Sequence, residues 1–255
     1  MTPIMKSLAF AALLAALPLS ASADEIKVLT AGAFKSILVA LQPDFERRSG
    51  HTLAIANGTA GELAKRIAGG EAFDVVIAPP AAVDDLVASG KVVRGSREAV
   101  ARVGIGAMVR EGAAKPDIAS VAAFKQALLD AKSVAYIDPA SGGSSGVYLV
   151  GLFKTLGVAD AVAAKAKLKN GGYVGDLVAS GEATFGLHQI SEILPVKGVT
   201  LVGPIPAEVQ SYTTYAAGLG SGARNTDAAR SLLGALTSAD TRKILLAKGM
   251  EPPAP

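Results

Sequence analysis

The chain has 255 residues, half of them apolar and only 5% aromatic, with no cysteine and no tryptophan. The absence of thiols excludes disulfides, a lipid-modified cysteine anchor and thiolate metal sites. A formal charge of +3, one unit of it from Lys6 near the start, is too small and too dispersed to argue for nucleic-acid binding.

The first residues form an export pattern. Lys6 precedes an apolar run from Leu8 to Leu19, and the small residues Ala21 and Ala23 close it. The run is about 12 residues, short of the roughly 20 that a bilayer requires. It therefore reads as a secretory signal, 1–23, cleaved after Ala23; the alternative is a buried N-terminal helix. The mature protein is expected in the periplasm, with no membrane insertion after cleavage.

From there strands and helices alternate, the pattern of a largely parallel sheet. Glu25–Thr30 reads as a strand and Phe34–Ser49 as a helix with Ile37, Leu38, Leu41 and Phe45 on one face, stopped by Gly50. Leu53–Ala56 and Val75–Ala78 are further strands. The helix between them ends at Gly69-Gly70, and another spans Ala81–Ser89. Val103–Val109 looks like a strand leaving this unit, after which the pattern restarts. A helix over Val121–Ala131, a strand over Ser133–Ile137 and a helix over Gly146–Leu156 follow. A polar helical stretch to Lys169, a Gly171-Gly172-Tyr173 turn and a short helix to Ser180 come next. Ala183–Leu187 and Val199–Val202 are strands, and Tyr212–Leu219 returns to the first unit. Helices over Thr226–Thr237 and Ala239–Lys248 close the chain. The reading is an α/β protein of two lobes, 24–104 with 213–255 and 105–212, joined by two crossover hinge strands around a ligand cleft.

Three loops share one design of strand end, small residues and helix start: Thr30–Phe34, Asn57–Gly61 and Asp138–Gly146. Small side chains leave the first-turn N–H groups of a helix open to a ligand, and those groups with the helix dipole favour an anion. Gly32, Ala33, Phe34, Thr59, Ala60, Ser144 and Ser145 are the candidate ligand positions here, with Thr59 and the serines adding hydroxyl donors. Ordinary helix capping explains any one such loop; three, divided between two lobes, point to a small anion. There is no GxxxxGK[ST], no GxSxG and no paired-histidine metal motif, so no metal or cofactor is expected.

The order Ala31-Gly32-Ala33, then Gly58-Thr59-Ala60-Gly61-Glu62-Leu63-Ala64-Lys65-Arg66-Ile67, then Phe73-Asp74-Val75-Val76-Ile77-Ala78 resembles the periplasmic molybdate-binding proteins of ABC transporters. The similarity continues through Val134–Pro139 and Gly181-Glu182-Ala183 and covers the mature chain. It implies a two-lobed type II periplasmic binding protein fold, a monomer, and an ABC transporter permease as partner. That family places serines in its first two loops and a tyrosine late in the second lobe. Those positions fall here on Ala33, Ala60 and Gln189, while the third-loop position falls on Ser145 and the next near Gly171 or Gly172. Losing two donors to a charged ligand costs roughly 3–6 kcal/mol, roughly two to four orders of magnitude in affinity. Tetrahedral molybdate is therefore not the ligand the resemblance leads us to expect. The stretch Gly186–Pro195 with Gly198–Pro206 is instead similar to a divergent branch that includes periplasmic aconitate isomerases.

That branch implies a carboxylate ligand and an allylic proton shift, which needs a base and donors for developing charge. His188 is the candidate base, since imidazole titrates near neutral pH; its other reading is a histidine bonded to neighbours at a strand end. Glu192 is a second candidate, or else the cap of a short helix near Ser191. Lys35 could reach the cleft mouth, and Tyr173 could donate to a carboxylate or simply plug the second lobe. Lys65, Arg66 and His51 read as surface residues.

Overall fold

The computed structural model describes residues 24–253, and the expected signal segment lies outside them. Strand β1 (Glu25–Ala31) pairs in parallel with β2 (Thr52–Gly58) on one side and β3 (Val75–Ala78) on the other. Helix α1 (Gly32–Ser49) follows β1 with no loop between them. It buries Ile37, Leu38, Leu41 and Phe45, and ends at Gly50, whose φ of 75° lets its N–H reach the Glu46 carbonyl. Helices α2 (Ala60–Ala68) and α3 (Pro80–Ala88) complete the three-strand unit.

The chain then departs from the sequence reading. The strand expected over 103–109 is β5 (Ile105–Arg110), and a strand that was not expected precedes it, β4 (Glu98–Val103). They belong to different sheets, and Gly104 is the crossing point. No turn signal beyond that one glycine marks the break between them. The second lobe holds α4 (Val121–Asp130), β6 (Val134–Ile137), α5 (Ser144–Thr155), α6 (Ala159–Ala163), β7 (Ala166–Lys169), α7 (Gly175–Ala179), β8 (Phe185–Gln189), α8 (Ile190–Ile193) and β9 (Val199–Pro204). Here too a correction is needed. The polar stretch expected to stay helical to Lys169 is a five-residue helix followed by the edge strand β7, paired in parallel with β6. Four residues with exposed Lys167 and Leu168 carry too little alternation to announce a strand.

β10 (Thr213–Leu219) returns to the first sheet, antiparallel to β3 and β4, and α9 (Thr226–Leu236) and α10 (Ala239–Ala247) pack behind it. The sheet orders are β2-β1-β3-β10-β4 and β7-β6-β8-β5-β9. Each sheet has its own apolar core. The crossing at Gly104 is fastened by Gln210. Its side-chain oxygen accepts from the Ile105 N–H at 2.7 Å, and its amide nitrogen donates to the Ile105 carbonyl at 2.9 Å. A Cβ on Gly104 would stand 3.1 Å from that amide carbon, so the chain passes close beneath it.

Asp74, buried at the edge of β3, ties the first lobe together. Its carboxylate accepts from the Lys27 N–H at 2.7 Å and the Arg224 N–H at 2.9 Å. Asp74→Ala strands both donors and should cost about 3 kcal/mol. Urea denaturation checks this as a lowered midpoint with an unchanged slope.

Candidate functional site

Three helices begin on one cleft. α1 and α5 start at Ala31 and Gly143, neither of which makes a side-chain cap, so their first-turn N–H groups depend on what enters the cleft. α2 is capped internally: Thr59 Oγ1 accepts from Glu62 N, and the Glu62 carboxylate accepts from Thr59 N. The cleft is narrow, a cavity of about 40 Å³ open on one side to solvent, between these helix starts and the strands β6, β8 and β10. Gly32, Ala33, Thr59, Ala60, Ser144, Ser145, Gly172, His188, Gln189 and Glu192 all line it, brought together from both lobes. No lysine or arginine is among the described residues lining it.

The lobes touch across this cleft. Thr59 Oγ1 donates to the Ser141 carbonyl at 2.5 Å. A Cβ on Gly61 would lie 2.7 Å from that carbonyl oxygen, and one on Gly142 would lie 2.8 Å from the Gly61 Cα. Backbone meets backbone, which only glycine at both positions allows. The Thr59 hydroxyl is thus engaged in holding the lobes together, and Ser141 Oγ donates to the Asp138 carbonyl. The hydroxyl donor foreseen at Thr59 is thus committed to the protein itself, as is the neighbouring Ser141 hydroxyl.

The end of β8 carries the titratable groups. His188 is 1% exposed, and its Nε2 lies 3.3 Å from Oε2 of Glu192 in the following helix α8. Its Nδ1 is buried without a partner. Burial pushes the imidazole down to about 3 and the Glu192 carboxyl up to about 8. Burial thus disfavours the ionised form of each member of the pair. Glu192 makes no cap for α8, whose Gln189 start has no side-chain cap; its carboxyl turns instead to His188. Oε1 sits where a Cβ on Gly32 would come within 2.6 Å, so Gly32 is needed to admit this carboxyl beside the start of α1.

The remaining candidates fall outside the lining. The Phe34 ring is fully buried in the first core, 6.4 Å from the Tyr215 ring, leaving only its backbone to serve an anion. Lys35 does not line the cleft. Tyr173 is half-buried behind it, its hydroxyl pushed up by burial and by the nearby Glu192. Arg66 pairs with Glu71 at 2.6 Å, in keeping with a surface role, and His51 accepts from the Asp24 N–H.

Tyr215 escaped the sequence reading. Its hydroxyl donates to Gln189 Oε1 at 2.7 Å, while Gln189 Nε2 donates to Thr213 Oγ1 at 2.9 Å. These bonds join β8 of the second lobe to β10 of the first. An irregularity in the β10 register at Tyr215/Ala216 sits beside the cleft. Nothing local in Thr213-Thr214-Tyr215 marks it as more than a strand start.

The comparisons with known proteins agree with this geometry. A family model described as bacterial extracellular solute-binding protein matches residues 26–251. The chain belongs to that family. Among curated proteins, an aconitate isomerase from a Pseudomonas species is 38% identical to this solute-binding family member, over 99% of this chain and 98% of that protein. The Azotobacter vinelandii periplasmic molybdate-binding protein superposes with a TM-score of 0.75 at 21% identity, covering 90% of this chain and 100% of that one. The sulfate-binding protein of Mycobacterium tuberculosis H37Rv gives 0.72 at 15% identity, covering 91% and 88%. The fold is thus the two-lobed type II fold foreseen in the sequence. The family is extracellular, in keeping with the export pattern. No helix among the described residues is long and apolar enough to cross a membrane.

Proposed function

We propose that the cleft closes on an aconitate-like carboxylate and moves its double bond by an allylic proton shift. The observation that carries this reading is the buried His188–Glu192 contact in the cleft wall, with His188 Nδ1 left unpartnered. A pure anion trap needs donors alone; a buried histidine with an unpartnered ring nitrogen supplies a base that capture does not require. The 38% identical relative is an aconitate isomerase, which favours the same chemistry.

In this mechanism the helix starts hold the carboxylates and absorb charge that spreads onto one of them as the C–H bond breaks. His188 takes the proton from the substrate methylene at Nδ1 and passes the one on Nε2 to Glu192 Oε2. Glu192 returns a proton from Oε1 to the vinylic carbon. One C–H bond breaks, another forms, the double bond moves by one carbon, and the pair keeps its proton count. Once both transfers are complete no charge remains in the dry wall, which suits two groups whose ionised forms burial disfavours.

A second reading is capture without chemistry, for molybdate, tungstate or another oxyanion delivered to an ABC transporter permease. The solved neighbours, titled as molybdate-, sulfate- and tungstate-binding proteins, favour it. Taken together the comparisons back binding more broadly than catalysis. Ala33 and Ala60, in place of hydroxyl donors, favour a ligand larger than a tetrahedral oxyanion.

Proton NMR of the mature protein with excess trans-aconitate separates the two. Growth of cis-aconitate signals is expected; an unchanged spectrum over hours, with saturable binding of molybdate, would establish capture instead.

A further inference from the structure

The cleft poses a charge problem. An aconitate-like trianion brings three negative charges, and no lysine or arginine lines the site. The starts of α1, α2 and α5 offer about half a positive charge each, which together offset only about half of that. Glu192 stands in the same wall, 9% exposed as a residue, and its neighbours bring no cation. The titratable groups that face it are His188 on its own side of the cleft, Tyr173 before α7, and Tyr215 on β10. α1 brings the Gly32 backbone against the Glu192 carboxyl, and β5 and the turn after α10 meet α8 through Gly106 and Gly249. An ionised Glu192 would therefore add a fourth negative charge with nothing left to oppose it.

We infer that Glu192 binds the ligand as a carboxylic acid, donating its O–H to a ligand carboxylate, so that anion binding is coupled to one proton. The inference rests on the small-anion reading of the cleft and not on the chemistry proposed for it. It supplies the donor lost with Ala33 and Ala60: a neutral acid in the cleft wall, its Oε1 beside the start of α1 in the space that Gly32 leaves open. Burial already holds the carboxyl far above the ordinary range of a glutamic acid, to about 8. A bound anion raises it further, so affinity is full below that value and falls as pH rises through it.

The probe is propane-1,2,3-tricarboxylate, the saturated analogue that cannot isomerise. Isothermal titration between about pH 7 and 9.5, where the free ligand is fully ionised, should show affinity falling about tenfold per pH unit on the alkaline side. Glu192→Gln, which keeps a donor but cannot ionise, should bind up to about tenfold more weakly at pH 7 and with no slope. Titrating the unaltered protein in two buffers of different ionisation enthalpy should show close to one proton taken up at pH 9, a readout that does not depend on the variant folding. A flat profile with no proton uptake, or a slope that persists in Glu192→Gln, overturns the coupling while leaving the anion site intact. Failure of the tricarboxylate to bind at any pH overturns the carboxylate reading itself, and this inference with it.

Discussion

Gly61→Ala should weaken anion binding by about 100-fold or more while leaving the fold intact. The new Cβ would lie 2.7 Å from the Ser141 carbonyl oxygen and 3.1 Å from the Gly142 Cα. Both obstacles are backbone, and the chain around Ser141 is pinned by its own bonds to Asp138, so neither gives way cheaply. The lobes must stop several tenths of an ångström apart, and Thr59 Oγ1 then loses the Ser141 carbonyl. With the lobes apart, the α5 amides no longer reach an anion held by α1 and α2. Losing two charge-assisted bonds costs roughly 3 kcal/mol or more, which is about the 100-fold stated. The first lobe itself should not suffer. Gly61 has no positive φ and lies in the first turn of α2, where alanine is the better helix former by up to about 1 kcal/mol. Titration with propane-1,2,3-tricarboxylate, together with a thermal melt, checks both halves. Unchanged affinity would mean that the contact between the two glycine loops plays no part in closing the cleft.

The backbone logic of the site was open to sequence reading in a way that its side-chain logic was not. Ala31–Ala33, Asn57–Gly61 and the Gly/Ser loop before α5 announce themselves by composition, since only small residues let a helix start face a ligand. All three line the cleft. His188 was legible too, as one of two histidines and the one at a strand end beside Gln189. The use to which hydroxyls are put was not legible. Thr59 was read as a donor for the ligand, yet its partner is Ser141, 82 residues on. Tyr215 reaches Gln189 across 26 residues and between sheets. Lys35 misled by adjacency: one residue past Phe34 on a helix turns a side chain about 100° away. The strand over Glu98–Val103 was missed because its break from β5 is a single glycine, a change of sheet with no change of apolar character. Local pattern reports which face is buried; it does not report which lobe buries it.

His188→Ala carries the largest expected effect on turnover, a fall of about 10²–10⁴-fold with tricarboxylate binding held within about tenfold. The asymmetry follows from where the imidazole stands. It makes no contact that fixes the lobes, and its one polar partner in the structure is Glu192 at 3.3 Å. Being held neutral by burial, it contributes no charge to anion capture. The same burial predicts a pH profile unlike that of a solvated histidine base. Since the imidazole pKa is lowered, the rate should show no acid limb near the ordinary histidine value and should stay level as pH falls through 6.5. Since the Glu192 pKa is raised, the rate should fall on the alkaline side as that acid ionises and can no longer return a proton. Both limbs are read from kcat measured by the growth of cis-aconitate signals. A His188→Gln variant separates positioning from chemistry, because its amide can still meet Glu192 but cannot carry a proton through. If His188→Gln restores turnover lost in His188→Ala, the imidazole serves only to orient Glu192, and the base must be sought elsewhere in the cleft. If both variants bind and neither turns over, the proton passes through His188.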